Sequence, residues 1–289
     1  MPVEPAARAK SWRSSWARAA RRWAALPAAP ATAALAPPAR RAEDRGRRRE
    51  APALAKFPAK DDTFPACRIE LATMRLAAEC GLDVPNLGFE QALGRDIYLI
   101  ERFDRTPTHL GMLRRPFASG LTLLGAHERD VGRHSYADLA GALRQLGAEP
   151  RRDLTELYRR MVFNILVTND DDHLRNHGFL FDATGWRLSP LYDVVPKPQI
   201  GREPSLVLGV GPMGRAATLE NARAGAADFH LMPEEAQAHI DTLVQLVRGR
   251  WQDVFAAAGV NAADRRRFAT GFRQADPELD ALAGPPDAE

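Results

Sequence analysis

The sequence predicts an α+β chain, with a small strand-bearing part followed by a mainly helical one. Three observations predict it. Short strand-like runs, broken by prolines and glycines, lie between residues 52 and 103. Apolar stripes at helical spacing run through residues 136–165 and 233–255. Between the stripes an acidic knot, Asp170-Asp171-Asp172-His173, opens onto a second hairpin-like stretch.

Residues 1–50 stand apart. They hold 12 of the 40 Lys+Arg, 4 of the 37 Asp+Glu and three of the five Trp (Trp12, Trp16, Trp23). Helical spacing is weak from Ser11 to Leu26, and the prolines, alanines and arginine clusters after Pro27 leave little to bury. The segment reads as a disordered tail or a loosely attached helix. Its acid-poor start suits a transit peptide, whereas Pro27 and Pro30 interrupt the stretch a signal peptide would need. It also reads as an aberrant product of a wrong start site or a frame shift.

The other residues carry 28 basic against 33 acidic side chains, a net of −5, so the basic pI near 9.1 reports the tail and not a nucleic-acid face. Two cysteines, Cys67 and Cys80, make no disulfide framework. No stretch reaches about 18 consecutive apolar residues, so no membrane contact and a cytoplasmic location are expected.

From Pro52 the texture changes. Ala53 to Phe57 is a short strand stopped by Pro58. Arg68 to Cys80 is helical, with Leu71, Met74 and Ala78 on one face and Gly81 as the stop. Leu87 to Ala92 and Ile97 to Phe103 are strands around Leu93-Gly94-Arg95. Residues 104–133 read as a Gly- and Arg-containing connection with one apolar element, Leu121 to Leu124. Ser135 with Asp138 is a capping-box signal for a helix bearing Tyr136, Leu139, Leu143 and Leu146. Asp153 with Glu156 repeats the signal, ahead of the stripe Leu154, Leu157, Tyr158, Met161, Val162 and Ile165.

Gly178 to Phe181 and Trp186 to Leu188 form a hairpin around the turn Asp182-Ala183-Thr184-Gly185. A hairpin returns the chain to its origin, so Asn176 before it and Asp193 after it should share one end. With Asp171 they make a hard-oxygen cluster suited to Mg²⁺. Beyond it, Ser205 to Val210 is a short apolar run. Helices follow from Thr218, with Pro233 at a first helical position, Ile240 to Phe255 as a buried face and a last helix over 262–274.

The loop Asn169 to His177 has the form N-x-D-D-H-x-x-N-H, and Ser189-Pro190-Leu191-Tyr192-Asp193 the form S-P-x-Y-D. The pair resembles the catalytic loop and metal-binding motif of HipA-like serine/threonine toxin kinases. The resemblance covers about residues 52–275 and implies a two-lobed protein-kinase-like fold with a small mixed N-lobe and a mainly helical C-lobe. The expected division is a tail over 1–50, an N-lobe remnant over 51–105, a C-lobe over 106–278 and a loose end over 279–289.

The resemblance assigns roles residue by residue. Asp171 orients the substrate hydroxyl and accepts its proton, with His173 beside it bracing the loop. Asn176 and Asp193 hold Mg²⁺ on the phosphates of ATP. Lys56 grips the α- and β-phosphates and pairs with Glu70. Glu101-Arg102-Phe103 is the hinge, whose backbone meets adenine with Phe103 near the ring. A protein substrate and a helix-turn-helix, HipB-like antitoxin are the implied partners, with DNA reached only through the antitoxin. The family's Gly-containing phosphate loop has no counterpart, since only Gly46 precedes Lys56. Two rival readings follow: a catalytically impaired pseudokinase that keeps the antitoxin contact, and a metal-dependent phosphohydrolase with no use for Lys56.

Overall fold

The computed structural model describes residues 52–109, 111–130, 132–198 and 203–282, and the sequence readings made on residues 1–51 lie outside them. The described residues fall within one compact unit, 50–289.

The N-terminal part is an antiparallel sheet of three strands, β1 (Ala53–Lys56), β2 (Leu87–Ala92) and β3 (Arg95–Glu101), in the order β1-β3-β2. Leu93 and Gly94 both take positive φ, 51° and 74°, as a two-residue hairpin of primed type requires. The register sets Lys56 opposite Tyr98 and Leu54 opposite Ile100. Between β1 and β2 runs α1 (Ala66–Glu79), which buries Ile69, Leu71, Met74 and Leu76. It starts two residues before the expected Arg68, directly after Pro65, and ends one residue before the expected Cys80.

The connection after β3 is more ordered than its sequence suggests. It contains a ribbon, β4 (Arg105–Thr108) with β5 (Gly111–Arg114), then β6 (Phe117–Ser119) and a short α2 (Gly120–Leu123). Ser119 caps α2 by accepting from the Thr122 N–H.

The helical part opens with α3 (Tyr136–Leu146), whose Ser135–Asp138 capping box is formed on both sides. The next helix, α4 (Pro150–Leu166), starts earlier than the Asp153–Glu156 signal predicts, because Pro150 occupies its first turn. Asp153 serves instead as the partner of Arg187, at 2.9 and 3.1 Å, and accepts from the Leu188 N–H at 3.1 Å. That carboxylate fastens the hairpin β7 (Gly178–Phe181) and β8 (Trp186–Leu188) to α4. Strand β6 adds to the hairpin, giving the order β6-β7-β8.

Every member of the α4 stripe is buried, and full burial of each such side chain stabilises by about 1.5–3 kcal/mol. The short α5 (Leu219–Ala224) is capped by Thr218. The long α6 (Pro233–Ala257) packs Trp251 and Phe255 onto Phe272, with the Trp251 and Phe272 rings stacked at 4.4 Å. The last α-helix, α7 (Ala262–Phe268), gives way to a 3-10 turn at Ala269–Phe272. No described helix is long and apolar enough to cross a membrane.

Candidate active site

A cleft of about 510 Å³ opens between the two parts of the unit. Its size lies within the range of small-molecule sites. Leu54, Ile100, Phe103, Phe117 and Tyr192 line it with apolar surface, and Lys56, Glu101, Arg175 and Asp193 supply charge. The Phe103 ring stands 5.8 Å from Tyr192 and 6.1 Å from Phe117, so an aromatic wall forms one side.

The last residue of β1 places its ammonium at the mouth. Lys56 Nζ donates to Glu70 Oε1 at 2.7 Å, to Glu70 Oε2 at 2.9 Å and to Asp193 Oδ1 at 2.5 Å. Glu70 sits in the second turn of α1 with 7% of its side chain exposed, whereas Lys56 keeps 38% and Asp193 44%. Burial pulls the Lys56 amine down, and the charges of Glu70 and Asp193 outweigh it, so the ammonium is held above its ordinary value. Burial raises the Glu70 carboxyl, with Lys56 pulling it back. Both values are raised, which favours the charged amine and disfavours the charged carboxyl of one ion pair. We take the pair as charged at neutral pH, since the bidentate contact and Asp193 act on the same ammonium.

Asp193 has left-handed backbone at φ 62°, which turns its carboxylate back toward Lys56. The preceding Tyr192 hydroxyl donates to the Arg175 carbonyl at 2.7 Å. The residue before Asp193 is thereby bonded to the residue before Asn176, which brings the two ends of the hairpin together.

The loop 169–177 is anchored from inside. Thr168, at φ 52°, donates to the Gly271 carbonyl at 2.7 Å. The Asp171 carbonyl accepts from the His173 N–H at 2.9 Å and from Asn176 Nδ2 at 3.1 Å. The Asp171 side chain is exposed while its neighbour Asp172 is buried. Asp172 accepts from the Tyr136 hydroxyl and lies 3.0 Å from His177 Nε2.

Of the residues singled out in the sequence, Lys56, Glu101, Phe103 and Asp193 line the cleft, and Glu70 stands behind Lys56. Asp171 and Asn176 lie on the loop whose Arg175 lines it. His173 faces elsewhere, into a small cavity shared with His127, His134 and Leu208. Its backbone braces the loop, and its ring is outside the cleft lining.

The segment expected as the hinge lies along the cleft, with part of its backbone already paired. The N–H groups of Glu101 and Arg102 already donate to the Asn86 and Pro52 carbonyls, at 2.9 and 2.8 Å. These two donors are engaged within the chain, beside the aromatic wall of the cleft. Sequence reasoning gave no site role to Tyr192, Phe117, Asp172 or Tyr136. Tyr192 lies inside the S-P-x-Y-D motif and was open to detection there; Phe117 carries no periodic signal.

Among the described residues no group of three or more His, Cys, Asp or Glu is arranged to hold a metal alone. Asp193 still fits a cation, because its carboxylate already faces one at 2.5 Å and remains partly exposed.

The sequence matches the HipA-like C-terminal domain family over residues 25–251, a match that begins upstream of residue 52. It is 32% identical over 149 residues to a Sinorhizobium fredii protein with the provisional kinase name Y4mE, covering 50% of this chain and 34% of that one. It is 29% identical over 142 residues to the serine/threonine-protein kinase toxin HipA of Shewanella oneidensis, covering 44% of this chain and 33% of that one. The chain thus spans about a third of the length of these curated relatives. Its fold resembles a chain of the solved Shewanella oneidensis complex of HipA, HipB and operator DNA. The TM-score is 0.62 at 19% identity, over 82% of this chain and 61% of that one. The fold is kinase-like, and the chain belongs to the HipA-like C-terminal domain family.

Proposed function

We propose that the cleft binds ATP with Mg²⁺ and transfers the γ-phosphoryl group to a Ser or Thr hydroxyl of a protein. The observation that supports this most is Lys56, poised between buried Glu70 and cleft-lining Asp193 beside an aromatic wall. Phosphoryl transfer needs positioning and charge more than covalent help. Lys56 binds the α- and β-phosphates. Asp193 and Asn176 would hold the metal ion, which when bound would neutralise phosphate charge. Asp171 orients the acceptor hydroxyl. The hydroxyl oxygen bonds to the γ-phosphorus, the bond to the β-γ bridging oxygen breaks, ADP leaves and the proton passes to Asp171. Phe103, Phe117 and Tyr192 take the adenine face by stacking.

As a biological role we propose the toxin of a toxin–antitoxin pair, acting in the cytoplasm and neutralised by a helix-turn-helix antitoxin that alone contacts DNA. Support comes from the named Shewanella oneidensis relative and from the solved complex that contains HipB.

A second reading is a pseudokinase, favoured by the single glycine before Lys56 and by the engaged hinge N–H groups. Labelled ATP decides between them. The kinase reading expects label on the chain or on an acceptor protein, lost in Asp171→Asn, and Mg·ATP stabilisation lost in Asp193→Ala. Stabilisation without label in the wild type establishes the pseudokinase.

A further inference from the structure

The chemistry proposed above leaves one group of side chains unused. Tyr136, Asn164, Asn169, Asp172 and His177 are each no more than 2% exposed and form a polar cluster beneath the loop 169–177. From it we infer that Asp172 is a positioning residue: hydrogen-bonded to Tyr136 and packed against His177, it sets the outward direction of Asp171 and the place of Asn176. The inference rests on the kinase reading for its catalytic part.

The contacts run in sequence. Asn169 Nδ2 donates to Asn164 Oδ1 at 3.2 Å, and Asn164 Nδ2 donates to the Tyr136 phenol oxygen at 2.9 Å. The Tyr136 hydroxyl donates to Asp172 Oδ2. Asp172 Oδ1 faces His177 Nε2 at 3.0 Å, a close contact outside hydrogen-bond alignment, and the His177 ring meets Tyr136 edge-on at 5.2 Å. Burial and the Asp172 charge together hold the Tyr136 phenol well above its ordinary value, so it stays a donor.

The cluster joins α3, α4 and both ends of the loop. A buried carboxylate is a costly way to fill a core, and apolar side chains would fill the space at lower cost. What the carboxylate provides is direction. Asp171 and Asp172 share one peptide unit, so an inward anchor on the second fixes the outward vector of the first. The anchored Asp171 carbonyl then receives Asn176 Nδ2 at 3.1 Å, which carries the constraint to Asn176.

The test uses the full chain and the variants Tyr136→Phe and Asp172→Asn, which keep shape and remove one interaction each. Amide exchange over residues 169–177 should quicken about tenfold while residues 66–79 and 233–257 stay protected. The kcat for phosphoryl transfer should fall about tenfold or more, with KM for ATP within about threefold of the wild type. Exchange that rises everywhere or nowhere overturns the inference, and so does an unchanged kcat with a loosened loop. A wild type that transfers no phosphoryl group refutes the kinase reading instead, and loop exchange then decides the inference alone.

Discussion

Lys56 Nζ lies 2.5 Å from Asp193 Oδ1, so a strand residue and a residue 137 positions later meet across the cleft. The same ammonium holds Glu70, whose side chain is 7% exposed. Removing the amine therefore strands a buried carboxylate. Breaking a fully buried pair costs about 3–5 kcal/mol, and the partial exposure of Lys56 reduces that here to about 1–2 kcal/mol. Lys56→Met should lose that much in urea denaturation, and Lys56→Met with Glu70→Gln should recover about half. Strict additivity of the two substitutions would show that the contact carries no energy.

The same triad sets a pH dependence. The Lys56 amine is held above 10.5 in the folded chain, so its contribution is complete below that value and is lost as pH rises through the raised one. Glu70 is held above 4.5, so its charged form is disfavoured by folding, and its effect belongs to the acid limb. The stability gap between wild type and Lys56→Met should therefore be constant from about pH 7 to about pH 9 and close toward about pH 12. Chemical denaturation at each pH measures it. A gap that widens with alkali contradicts the assignment.

Cys80 is 1% exposed, and burial pushes its thiol up to about 12, with Arg159 pulling the other way. At about pH 8 its thiolate fraction is then on the order of one in ten thousand. Cys67 is also buried and raised, first by burial, and its thiol points at the Lys56 carbonyl at 3.5 Å. Neither should take up iodoacetamide in the folded chain, and both should in urea, as intact mass reads directly. Rapid labelling of Cys80 without denaturant would mean that α1 frays from the body of the unit.

The parts of the site legible in the sequence were those written in one stretch. The hairpin after the acidic knot, the capping box at Ser135 and the buried stripe of α4 each occupy adjacent residues with a local physical signature. The Lys56–Glu70 contact was legible only through the family resemblance, since nothing local pairs a strand with a helix. The ribbon β4–β5 went unread because Arg105–Thr108 and Gly111–Arg114 carry no apolar alternation; pairing between them, not burial, makes them strands. Strand β6 is three residues long and exists through its bonds to β7. Asp153 was misread as a cap because its partner Arg187 lies beyond the loop, 34 residues away. The buried fate of Asp172 was hidden for the same reason: three acids in a row look alike until the fold decides which one turns inward.

Strand β6 pairs with β7 and so sets Phe117 close to Gly178. Gly178, at the start of β7, leaves no room for a side chain: a Cβ there would lie 2.5 Å from the Phe117 ring and 2.6 Å from Ser189 Oγ. Ser189 is fully buried and its hydroxyl donates to the Pro190 carbonyl at 2.9 Å, so the ring is the part that yields. Phe117 is one of the cleft's aromatic walls and is 44% exposed, which gives it a direction in which to move. Gly178→Ala should cost about 1–3 kcal/mol in urea denaturation and weaken Mg·ATP stabilisation at the same time. Adding Phe117→Leu should relieve most of the overpacking while leaving the nucleotide defect in place, because the smaller side chain clears the Cβ but no longer stacks. If the double variant regained nucleotide stabilisation as well as stability, the ring would have no part in binding, and Phe103 with Tyr192 would have to carry the adenine alone.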